Sequence, residues 1–112
     1  MAYGLIWSDD AQTGIADIAA HLERVSSMRV AQTVLRAIEA KAVQSCSFPH
    51  AAGMIPEFGD HERREAFVHQ YRIMYRVETN HIRIIRVVHG KRLLANVPGS
   101  FEEAEQEAYA AL

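Results

Sequence analysis

The stretch YRIMYRVETNHIRIIRVVH, residues 71–89, constrains the fold of this chain most. Successive side chains of a strand point to opposite faces, so a period of two marks strand structure. Tyr71, Ile73, Tyr75 and Val77 fall on one face, and Arg72, Met74, Arg76 and Glu78 on the other. Thr79-Asn80 is a two-residue turn candidate, and the next strand is predicted from His81 to His89. There Ile82, Ile84 and Val88 share one face while Ile85 and Val87 take the other, which predicts a central strand covered on both sides. Arginines recur through this apolar sheet, and a buried guanidinium must be paired. Arg86, between Ile85 and Val87, is therefore read as structural, held in a salt bridge.

The flanking segments supply the layers. Tyr3 to Trp7 is a short, bulky apolar strand. Ser8, Asp9 and Asp10 follow it and suit a helix N-terminus, through a capping oxygen and through negative charge. Ile15, Ile18, Ala19 and Leu22 then mark one helical face, interrupted by the weak helix former Gly14. Ser26 and Ser27 break the pattern and can cap a second helix with Ala31, Val34, Leu35, Ile38 and Ala42 on its stripe. That helix is predicted to end near Cys46, ahead of Phe48-Pro49. Two helices joined by a few residues form an antiparallel hairpin. Pro49, Gly53, Pro56 and Gly59 punctuate a long loop from Ser47 to about Arg63, and Arg64 to Val68 is a further strand. Pro98-Gly99 turns the chain, and Ser100 and Glu103 form a capping box for a last helix with Phe101, Ala104, Ala108 and Leu112 on one stripe. The predicted order is β-α-α-β-β-β-α, an α+β domain spanning residues 1–112 with an antiparallel-rich sheet packed on a helical hairpin.

Bulk properties exclude several classes. A chain of 112 residues, 49% hydrophobic and 23% charged, suits one globular core rather than a disordered tail. Its apolar runs fall short of the roughly 18 residues of a membrane span, so no membrane association is expected. MAYGLIWSDD lacks a basic n-region and is expected to be neither a signal nor a transit peptide. Cys46 is the sole cysteine, so no internal disulfide forms, and a reducing cytoplasm is the expected location. Cys46 itself reads as a small buried residue. His50, His61, His69, His81 and His89 show no H-x-x-x-H spacing, and there is no C-x-x-C knuckle. Neither a metal site nor a cofactor is expected.

Charge is polarised along the chain. Residues 63–92 carry Arg63, Arg64, Arg72, Arg76, Arg83, Arg86, Lys91 and Arg92 against only Glu65 and Glu78, in a molecule of net charge −2. The last helix holds Glu102, Glu103, Glu105 and Glu107 without a base. Two readings are open: the acidic tail folds over the arginines, or the basic sheet is a face for an acidic partner.

The ordered string from Arg64 to Arg92, with REAFV, YRIMYRV, IRIIRVV and HGKR, follows paired helices, Phe48-Pro49 and a Pro/Gly loop. Over nearly the whole chain this resembles the RelE/ParE toxin superfamily, most closely its ParE branch. The resemblance implies the toxin of a type II toxin–antitoxin pair, neutralised by a cognate ParD-like antitoxin whose flexible segment wraps it. ParE-like members poison DNA gyrase, whereas RelE-like members cut mRNA in the ribosomal A site without a metal. Carried over by position, the RelE pattern finds Arg72 and Arg92 in place, but no lysine pair around Arg64 to Ala66 and no tyrosine near Val97-Pro98. His89 is the available proton-transfer group. A pI of about 6.3 also fits poorly with approach to packed ribosomal phosphates. The expectation is a non-enzymatic gyrase inhibitor with Arg72, Arg76, Lys91 and Arg92 contacting the target. The alternatives are a ribosome-dependent endoribonuclease using Arg72, His89 and Arg92, and an inactive toxin-fold binding protein.

Overall fold

The computed structural model describes residues 2–90 and 98–110, with side chains described through residue 90 and from Ala104 to Ala110. Lys91 and Arg92 lie outside the described residues, as does Leu112 of the predicted helical stripe, and Phe101 of that stripe lies outside the described side chains. The elements are β1 (Gly4–Trp7), α1 (Asp9–Val25), α2 (Met28–Ser47), β2 (Gly53–Met54), β3 (Arg63–Val68), β4 (Tyr71–Val77), β5 (His81–His89) and α3 (Pro98–Ala110). They form a sheet of order β1-β5-β4-β3-β2, in which β1 runs parallel to β5 and the other pairs are antiparallel. Among the described residues no helix is long and apolar enough to cross a membrane.

The α+β architecture follows the sequence reading, with three differences of detail. The loop after α2 contains β2, which pairs Gly53 with Glu65 and Met54 with Arg64. Two residues carry no readable period, so local pattern could not reveal this strand. Helix α3 begins at Pro98 rather than after Ser100. Proline lacks an N–H and holds a helical φ, so it suits a first helical turn, where no carbonyl awaits its hydrogen. The third difference lies in β5, where the register against β4 passes from Met74↔Arg86 to Tyr75↔Ile84. Ile85 is the extra residue of a β-bulge, and it resets the alternation. Ile82, Ile84 and Val87 therefore share one core, and Ile85 and Val88 the other.

Those two cores sit on opposite faces of the sheet. One joins it to the α1–α2 hairpin through Ala11, Ile38 and Ala42, packed against Ile73, Tyr75 and Ile84. The other joins it to α3 and the loop through Ala104 and Ile55, packed against Met74 and Ile85. Gly14 explains itself here: a Cβ at this position would lie 3.1 Å from the Val87 carbonyl oxygen, so α1 crosses β5 at near backbone contact.

Ser8 ties the helical layer to the bulge. Its Oγ accepts from the Ala11 N–H at 3.1 Å, capping α1, and donates to the carbonyl of bulged Ile85 at 3.0 Å. Its own N–H donates to the Ile84 carbonyl. Replacing Ser8 by Ala removes the cap and the Ile85 donor together, and should lower unfolding stability by about 2 kcal/mol. Ser8→Asp restores the cap without the donor and should recover only part of that loss in urea denaturation.

Candidate functional site

Strand register brings three arginines into one transverse row. Arg63 of β3 pairs with Arg76 of β4, and Arg76 pairs with Arg83 of β5. Like charges directly opposite one another destabilise a sheet unless counter-charge lies between them. Helix α3 and the end of β4 supply it. Glu105 accepts from Arg63 Nε at 3.1 Å and Nη2 at 2.8 Å, and lies 3.5 Å from Arg76 Nη1. Glu78 accepts from Arg83 Nε and from the Tyr109 hydroxyl, both at 2.8 Å. The Tyr109 ring also lies 5.2 Å from the Arg76 guanidinium carbon and 4.9 Å from that of Arg83, within cation–π range. Of the two sequence readings of charge, the acidic tail folding over the arginines describes this row.

Titration follows from these contacts. Burial alone would raise the Glu78 carboxyl, but hydrogen bonds from Arg83 and Tyr109 outweigh it and hold the group below its ordinary value. Burial, reinforced by the bond to Glu78, pushes the Tyr109 phenol up to about 12. A carboxylate depressed in the folded state contributes stability above its unfolded pKa, and loses it as pH falls through the folded value. Acidification below the ordinary carboxylate range should therefore weaken the α3–sheet contact. Glu78→Gln should flatten that dependence, as read from denaturation midpoints between neutral and acidic pH.

Arg72 belongs to a different layer. Its residue is 5% exposed, and its guanidinium is bound by the equally buried Glu65, with Glu57 at 4.0 Å and the Phe67 ring at 5.7 Å. Of the two described members of the predicted set, Arg76 is the open one, with its side chain 40% exposed. Arg86 lies 3.5 Å from Asp10 and links β5 to the first turn of α1. His89 pairs in register with Tyr71, meets that ring edge-on, and has Gln70 Oε1 3.0 Å from its Nε2. Tyr71 and Arg72 are consecutive strand residues on opposite faces, so the fold does not bring His89 to Arg72. His89 instead borders a 360 Å³ cavity against α1, with His21, Asp17 and Arg86.

Sequence reasoning offered the acidic tail, Glu105 included, as a cover for the arginines but missed Tyr109 and the alignment of the row, because pairing across three strands is invisible in local pattern. It also missed Arg64, which is 8% exposed and binds the carbonyls of His61, His50 and Ala52 at 2.8, 3.3 and 3.0 Å. This one side chain closes the long loop. The loop ends beside a polar cavity of about 660 Å³ lined by His50, Glu62, Arg76, Glu78 and Tyr109. Partial burial, with the neighbouring charges of His61 and Arg64, holds the His50 imidazole below its usual pKa.

A family model described as the ParE toxin of type II toxin–antitoxin systems, parDE, matches residues 5–94. The chain belongs to the ParE toxin family. The solved structure of a chromosomal ParDE system from P. aeruginosa contains a similar chain. It is 16% identical at TM-score 0.67, over 79% of this chain and 96% of that one. The RelBE2 toxin–antitoxin complex from Mycobacterium tuberculosis contains another, 17% identical at TM-score 0.59, over 80% of this chain and 92% of that one. At such identities both likenesses are of fold. Comparison with curated proteins gives no match.

The buried ion pair of this ParE-family chain makes a sharp test. Arg72→Ala strands the Glu65 carboxylate and should cost about 3–5 kcal/mol in unfolding stability. The double variant Arg72→Met, Glu65→Leu removes both charges and should cost far less, as measured by chemical denaturation.

Proposed function

We propose that this ParE-family toxin inhibits DNA gyrase by binding it, without a reaction of its own, and is neutralised by a ParD-like antitoxin. The match to the ParE toxin family over residues 5–94 carries the reading. The similar structures, a ParDE system and a RelBE2 toxin–antitoxin complex, support an antitoxin partner. Site geometry adds to it. Cleaving RNA without a metal calls for cationic groups turned toward the scissile phosphate and a proton-transfer group beside them. Arg72 already spends its charge on Glu65, and His89 lies on the other face of the sheet. Both observations favour the gyrase-binding reading over the ribonuclease reading.

The proposed contact set is Arg72, Arg76, Lys91 and Arg92, of which Arg72 is buried against Glu65. Arg72 would meet a target only by exchanging Glu65 for a carboxylate of the partner. Purified gyrase should lose supercoiling activity and accumulate cleaved DNA in the presence of the chain. Primer extension on translated mRNA should show no codon-linked cuts. Arg76→Ala combined with Arg92→Ala should weaken gyrase inhibition, with circular dichroism establishing that the variant is folded. Codon-linked mRNA cuts without an effect on gyrase would replace this function with the ribonuclease one.

A further inference from the structure

The long loop brings together residues that lie far apart along the sequence. His50 follows α2, while His61 and Glu62 immediately precede β3. One donor atom from each of the three lies within 4.8 Å of the others. The imidazoles of His50 and His61 stack with centroids 4.5 Å apart. Two imidazoles and one carboxylate form a donor set that suits zinc and similar borderline divalent ions, with a fourth position left open.

Both attachment points of this cluster are fixed by buried side chains. The Tyr75 hydroxyl donates to the Pro49 carbonyl at 2.6 Å, just before His50. Arg64 holds the carbonyls of His50 and His61. The Val77 N–H donates to the Glu62 carbonyl at 2.8 Å, anchoring Glu62 to β4. Asp60 Oδ1 accepts from the Glu62 N–H at 2.9 Å and shapes the turn that presents His61 and Glu62. The backbone is thus held in place while the three donor groups are exposed, so the rearrangement that metal binding requires is confined to side chains.

We propose that His50, His61 and Glu62 form a three-ligand site for a divalent transition-metal ion of the zinc class, with its open position facing solvent. Tetrahedral coordination at about 2.0–2.2 Å per ligand places donor atoms about 3.3 Å apart, so side-chain rotation has to draw the cluster inward. One contact must yield. Arg64 Nη2 lies 2.9 Å from His61 Nδ1, and a metal taking that nitrogen displaces it. Arg64 keeps its bonds to the three carbonyls, so the loop stays closed after the exchange. The Arg64 charge opposes the incoming cation, whereas Glu62 and Asp60 favour it.

The test uses the untagged 112-residue chain, stripped with a chelator and titrated with zinc chloride by calorimetry. Cobalt(II) absorption serves as an independent report of coordination. The expected result is saturation at one ion per chain. His50→Ala and His61→Ala should each weaken binding by more than the roughly 10–100-fold typical of losing an outer-shell partner. Glu62→Gln should weaken it in the same direction, while His21→Ala and His69→Asn leave it unchanged. Circular dichroism establishes that each variant is folded, and zinc should raise the thermal midpoint of the parent but not of His61→Ala. A titration that never saturates overturns the site. So does saturation that survives both histidine variants, or that is lost with His21 or His69.

Discussion

A guanidinium inside a sheet covered on both faces must find its acceptors within the molecule, and much of this fold is arranged around that need. Burying an unpaired charge costs several kcal/mol, more than a marginally stable domain of this size tolerates repeatedly. Arg72 is answered by Glu65 on the adjacent strand, and Arg64 by three loop carbonyls. Arg63, Arg76 and Arg83 are answered by Glu105, Glu78 and Tyr109. Helix α3 therefore does more than cover Met74 and Ile85: it neutralises a row of like charges that register forces together.

The same interactions shape the two regions that face outward. Arg64 is spent on holding the loop between α2 and β3 closed, and that loop carries His50, His61 and Glu62. Arg76, half-open beside the polar cavity, is the cation of the row with the most accessible side chain. Structural and outward-facing roles are thus divided among arginines that look alike in sequence. Neighbouring register, rather than residue type, decides which role each takes.

Much of the architecture was legible from period and capping. The alternation in β4 set its two faces, Ser8 and Ser27 are the caps of α1 and α2, and α2 ends at Ser47 just ahead of Pro49. What stayed hidden depends on pairing between distant segments. The bulge at Ile85 swaps Val87 and Val88 between cores, and nothing in HIRIIRVVH distinguishes a bulged strand from a regular one. Ile55 is fully buried although it lies in a Pro/Gly loop, because β2 docks on β3 and carries it under the sheet. The partners of the arginine row and the meeting of His50 with His61 likewise arise only once the strands are in register.

Strand β1 lies beside residues 81–84 of β5, so the first strand made is completed by nearly the last. Such distant pairing requires closure of a long loop before any contact rewards it, which slows folding relative to a hairpin-built sheet. During synthesis the α1–α2 hairpin can form early, yet its apolar stripe has no sheet to rest on until β4 and β5 leave the ribosome. Nascent chains halted short of β5 could pair β2, β3 and β4 but would lack the strand that joins them to β1, leaving that stripe incompletely covered. In this topology the sheet is continuous only when β5 inserts between β1 and β4, so an unfinished copy lacks the complete platform.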